Sequence, residues 1–236
     1  MLFRSSFFVA AGLFGVACVV TAVLYRNPPP APRSPALATE APGARPRTLR
    51  FWAPLLALFV ANFIDGSFMS LLPVVIGPLG APADSITLIA GAGVSGAGIA
   101  VVVAANAAAR MHGKLNVFKV IAVALGLSAG LVLLLLLVSN WWQFIGVRAA
   151  IALLAGAVPT LAFGAVADQA SSSSRATVVG MATSVGMLGW AASPYVSGLM
   201  VGLGLHYLYI GAGCVMLVVA ALAWSCARHA PRPLYA

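Results

Sequence analysis

Two ionisable side chains, Asp65 and Arg148, interrupt long apolar stretches. Asp65 is the one acidic residue deep inside such a stretch, near the middle of 51–77. A carboxylate at the centre of a bilayer costs about 2.5–3.5 kcal/mol on insertion scales, so it is expected to face a cavity or a partner. On a helix, Asn62, Asp65, Gly66, Met69 and Ser70 fall along one stripe, because residues three and four apart are neighbours. A polar stripe turned toward a bundle interior can line a translocation path. Low dielectric disfavours the charged form of a carboxylic acid, which suits proton exchange. Arg148 lies a few residues inside an apolar run that starts at 143. It either snorkels to the nearby interface or faces inward, to bind an anionic substrate or to pair with Asp65.

A second group stands between the apolar runs. Arg110 and Lys114 sit in one basic loop, and Asp168 follows a later span on the same side of the alternation. Asp168 is expected to pair with Arg110 or Lys114. An exposed ion pair is worth under about 1 kcal/mol, too little to hold a fold. A third group is made of small residues: Gly189, Ser193, Pro194, Ser197 and Gly198. Small side chains let helices approach closely, and a proline can bend a span. Their expected role is helix shape rather than chemistry.

Other patterns carry no chemistry. Gly91, Gly93 and Gly96 match G-x-G-x-x-G, but no strand precedes them and no acidic residue follows at the distance a dinucleotide site needs. They are expected to pack helices. His112, His206 and His229 are scattered, and the three cysteines (Cys18, Cys214 and Cys226) lack metal-ligand spacing. No metal, cofactor or catalytic constellation is expected, and the chain is not read as an enzyme.

The elements that must hold these residues follow from composition. The chain has 236 residues; 62% are hydrophobic and only 7% are charged, with a net charge of +9. Soluble domains carry about 25% charged residues. The mean hydropathy of +1.04 points to an integral membrane protein, and lipid is its first partner. A spanning helix needs about 20 apolar residues. Seven runs qualify: 5–25, 51–77, 85–108, 120–138, 143–166, 176–200 and 205–226. The runs are continuous rather than alternating, so an all-α polytopic membrane protein is expected and a β-barrel is not. Residues 26–50 carry five arginines, with six prolines from Pro28 to Pro42, and read as a flexible linker.

Basic residues set the orientation. Eleven of the thirteen Lys and Arg residues fall in 26–50, 109–119, 167–175 and 227–236; only Arg4 lies on the opposite side. The positive-inside rule therefore puts the linker and the C-terminal tail in the cytoplasm and the N-terminus outside. This accounts for the positive charge without a nucleic-acid partner. Trp52 and Trp224 stand near inner edges; Trp141, Trp142, Tyr207 and Tyr209 stand near outer edges, where aromatic belts form.

The first and last spans also align without gaps at an offset of 202, with Arg4 on His206 and Arg26 on Arg228. Internal repeats are a feature of transporters. With its spans and basic central linker, the chain resembles the major facilitator superfamily, in particular bacterial drug:proton and sugar efflux antiporters. The resemblance covers the whole chain but only the family's sixth to twelfth helices. Residues 1–25 resemble helix six, 26–50 the central linker, 51–226 the six-helix C-terminal half, and 227–236 a cytoplasmic tail. Gly189 to Gly198 is similar to the antiporter motif G-x-x-x-G-P-x-x-G-G, with serine at two glycine positions. The Ala105 to Lys114 segment resembles a degraded G-x-x-x-D-R-x-G-R-K motif, whose loop latches the cytoplasmic gate in that family. Arg148, Gly156 and Pro159 loosely match its arginine motif. The resemblance implies secondary active transport, with efflux of small organic molecules such as drugs or sugars by proton antiport and alternating access, in a bacterial inner membrane. It also implies a missing N-terminal half or a partner chain. The residues alone also admit an accessory membrane subunit. A seven-helix receptor fits the span count but lacks the Schiff-base lysine and the acidic-Arg-aromatic motif of such proteins.

Overall fold

The computed structural model describes residues 49–228 and six isolated positions between 12 and 23. The chain divides into two units, residues 1–44 and 45–236. In the first, Gly12, Gly15, Val16, Val19, Val20 and Val23 are helical. The expected first span and linker otherwise lie outside the described residues, as do His229, Arg232 and the rest of the tail.

Seven α-helices make up the described part of the second unit: α1 (Leu49–Ile76), α2 (Ile86–Met111), α3 (Val117–Leu134), α4 (Trp141–Ala155), α5 (Ala157–Ala167), α6 (Arg175–Leu203) and α7 (Leu205–Arg228). No strand occurs among the described residues. Six segments are long and apolar enough to cross a membrane, α4 and α5 together forming one of them. This is the all-α multi-pass architecture expected from composition. Helices suit a bilayer because each satisfies its own backbone hydrogen bonds.

The run 143–166, expected as one span, is two helices broken at Gly156. Pro159 has no N–H and its ring crowds the carbonyl of residue 155. The glycine does more than permit the break. A Cβ there would lie 2.9 Å from the Cα of Val101, so α2 crosses at backbone contact. At the other boundaries, Asn116 caps α3 by accepting from the N–H groups of Phe118 and Lys119. Gly204, with φ of +125°, makes the sharp turn from α6 into α7.

The helix α1 is central. It packs most extensively on α6 and also meets α5, α7, α2 and α4; the other large pairing is α3 with α7. Phe51, Leu55, Leu58, Ile64, Leu72 and Ile76 bury its apolar faces. Outer faces of α2 and α6 stay exposed, with Leu88, Ile99, Leu188, Tyr195 and Leu199 on them.

Pro54, Pro73 and Pro194 free carbonyls inside these helices, and neighbours take up two of them. Pro54 cannot donate to the carbonyl of Arg50; the Gln169 amide donates to it instead at 3.2 Å. Pro194 cannot donate to the carbonyl of Trp190; the Ser193 hydroxyl does so at 2.7 Å. Both helices therefore continue through their prolines without leaving those acceptors bare in an apolar medium.

Candidate functional site

The centre of the candidate site is an ion pair. Arg148 on α4 donates through its Nη2 to Oδ1 of Asp65 on α1. Arg148 does not snorkel. It is 7% exposed, and its guanidinium lies 4.9 Å from the ring centre of Phe68, one turn along α1 from Asp65. A cation over an aromatic face gains electrostatic stabilisation, more so when desolvated. Phe68 is itself held edge-on by Phe144 at 6.2 Å and stacked with Tyr209 at 6.5 Å. The arginine is thus boxed in by aromatic and apolar groups. Asp65 is the looser partner, with 44% of its side chain exposed.

Beside the pair lies a cavity of about 90 Å³ between α1, α2, α4 and α5. Asn62, Asp65 and Arg148 line it, with Val101, Gly156 and Pro159 opposite. Of the expected polar stripe, Asn62 and Asp65 reach this cavity. Ser70 is not among its lining residues; its hydroxyl donates to the carbonyl of Gly66. Asn62 likewise donates to the carbonyl of Leu58 at 2.8 Å. Polar side chains that bond their own helix backbone are a common way to tolerate apolar surroundings.

The small-residue motif divides in two. Gly186, Gly189, Ser193 and Ser197 are buried along one face of α6. A Cβ on Gly189 would run into the carbonyl of Phe59, and one on Gly66 would run into the Ser193 hydroxyl. These residues set the close approach of α6 to α1. Pro194 and Gly198 face away and are exposed, and a Cβ on Gly198 would meet nothing within 4 Å. The glycines of the dinucleotide-like pattern are all within α2; Gly93 packs on Leu72 and Ile145.

At the other cluster the expected partners are replaced. Asp168 pairs with neither Arg110 nor Lys114. Its Oδ2 lies 3.1 Å from Nε2 of His112, and its Oδ1 lies 4.0 Å from Arg175. The reason is steric. The His112 ring seats over Gly164 on α5, where a Cβ would lie 2.5 Å from ring atom Cε1. That notch brings the imidazole to Asp168 one turn beyond, while Arg110 and Lys114 project into solvent. His112 takes the place expected of its neighbours, and its position between Arg110 and Lys114 is the sequence signal for it. Phe68 was not expected at the site, although its i+3 spacing from Asp65 puts both on one face.

The model of the Major Facilitator Superfamily matches residues 54–235. The chain belongs to that family. It is a multi-pass membrane transporter by family, and lipid and a small-molecule substrate are the partners this implies. No curated protein matches the chain.

Proposed function

We propose that this member of the superfamily exports small organic molecules, such as drugs or sugars, by proton antiport. The observation that carries the reading is the Asp65–Arg148 pair beside a cavity inside the apolar zone. Asp65 would bind and release the coupled proton. Arg148, held by Phe68, would keep a positive charge beside the carboxylate and set when it lets the proton go. Asn62 would offer a hydrogen bond to substrate. Ser70 is further along the same helix and belongs to the path only if the cavity lengthens during the cycle.

Alternating access requires a second bundle facing the first. The exposed apolar faces of α2 and α6 support a partner bundle there. His112, Asp168 and Arg175 would latch the cytoplasmic end, with Arg110 and Lys114 joining when the helices move. Gly189, Ser193 and Ser197 would hold α6 against α1 as these helices rock. The excess of basic residues at the Arg228 end supports a cytoplasmic C-terminus, and the bacterial inner membrane is the proposed location.

The test is uptake or extrusion of a fluorescent drug by cells making the protein, with and without an imposed pH gradient. Gradient-driven extrusion that disappears in Asp65→Asn is expected. Extrusion that persists at the wild-type rate in that variant removes Asp65 from the coupling.

A further inference from the structure

Two apolar grooves flank α3 at the basic end of the bundle. The first, about 490 Å³, lies between α3 and α2 and carries Lys119 and Asn116 at its mouth, with Ala107, Met111 and Leu127 along it. The second, about 520 Å³, lies between α3 and α7 and carries Arg228 and Trp224, with Ala221 and Leu217 along it. Both volumes fall in the range of about 300–1,000 Å³ typical of ligand pockets. Val123 lines both grooves and forms the ridge between them.

The two cations stand at the same end of the α3–α7 pair. The Asn116 amide donates to the carbonyl of Ala227 at 3.3 Å, which ties the start of α3 to the end of α7. Lys119 is one turn beyond Asn116, and Arg228 follows Ala227. Both are exposed, and neither pairs with a carboxylate among the described residues. Arg50 adds to the same end, its guanidinium 5.8 Å from the ring centre of Phe118. Two apolar channels that share a ridge and end at unneutralised cations are complementary to a two-chain amphiphile with an anionic head. Trp224 sits where an indole prefers the headgroup level. Basic pockets between spans at the cytoplasmic side are recognised sites for anionic headgroups.

We propose that α3 is straddled by one anionic phospholipid, with an acyl chain in each groove and its phosphate held by Lys119 and Arg228. The site is separate from the Asp65–Arg148 cavity and does not depend on substrate or coupling ion. Lipid bound there would brace α3 against both α2 and α7, and would tie the bundle to the composition of the cytoplasmic leaflet.

The full chain is reconstituted in nanodiscs holding equal parts phosphatidylglycerol and phosphatidylcholine. Lipid kept after mild detergent release is then counted by native mass spectrometry. Wild type is expected to keep phosphatidylglycerol in preference to phosphatidylcholine. Removing both cations, as in Lys119→Gln with Arg228→Gln, is expected to weaken retention by about 30-fold. Ala107→Phe and Ala221→Phe, at exposed groove positions, keep both cations but fill the grooves, and each is expected to lower retention. Equal retention of both lipids, unchanged in the double variant, overturns the proposal in favour of a neutral lipid annulus. Displacement of phosphatidylglycerol by inorganic phosphate, with the groove-filling variants unaffected, overturns it in favour of a soluble anion site.

Discussion

Arg148 and Asp65 share one ion pair but not one environment: the guanidinium is enclosed, whereas the carboxylate is nearly half exposed. Removing either partner therefore has unequal consequences. Asp65→Asn leaves a buried cation with no counter-charge, only an amide oxygen and the Phe68 ring; breaking fully buried pairs costs about 3–5 kcal/mol, an upper bound for this half-exposed carboxylate. Arg148→Met leaves a carboxylate that can accept a proton or turn outward, and is expected to cost less. The double variant is expected to recover most of the loss, because neither charge is then stranded. Denaturation of the three variants in detergent reads this out. Equal, additive losses would show that the two residues do not interact.

The contact of α6 with α1 gives a paired glycine test. Gly189→Ala places a methyl against the Phe59 carbonyl, and a backbone atom cannot move aside as a side-chain end can. Overpacking of this kind costs about 1–3 kcal/mol. Gly198→Ala, nine residues on in the same motif, meets nothing and is expected to be neutral within about 0.5 kcal/mol. Thermal unfolding of both variants compares them directly. A harmless Gly189→Ala would mean that the two helices do not touch there.

Ser193 and Pro194 make a local pair whose logic can be reversed. Ser193→Ala removes the hydroxyl that satisfies the Trp190 carbonyl, and an orphaned acceptor costs about 1–3 kcal/mol. Adding Pro194→Ala restores a backbone N–H at 194, four residues from that carbonyl. Ser193→Ala with Pro194→Ala is therefore expected to be more stable than Ser193→Ala alone. No rescue in a stability measurement would mean that the serine does not act through this carbonyl.

The His112–Asp168 contact is exposed, so its effect should be on balance rather than on folding. Exposed pairs contribute about 0–1 kcal/mol. Asp168→Asn is expected to leave unfolding almost unchanged. It is expected to raise thiol labelling of a cysteine placed at the buried Ala108 by up to about fivefold, as the latched state loses its advantage. Gly164→Ala, which evicts the imidazole from its notch, is expected to do the same. Unaltered labelling in both variants would remove this cluster from the gate.

Much of this protein is legible in its residues one at a time or a few apart. Runs of apolar residues mark each described span to within a few positions, because crossing a bilayer sets a minimum length that no tertiary contact changes. The burial of one face of α6 at Gly189, Ser193 and Ser197 follows from side-chain size and helical spacing. The repair of the Trp190 carbonyl is also local, because proline and serine are adjacent. Tertiary structure decided the rest. Asp65 and Arg148 are 83 residues apart, and their meeting depends on the rotation of two helices about their axes. Helices this apolar on every side have little amphipathicity to set that rotation, and between helices in lipid the hydrophobic effect discriminates weakly. The choice of His112 over Arg110 and Lys114 depended on a notch at Gly164, 52 residues away, and the backbone contact of α2 at Gly156 depended on how the helices pack. Length and polarity are properties of segments, whereas the partner of a side chain is a property of packing.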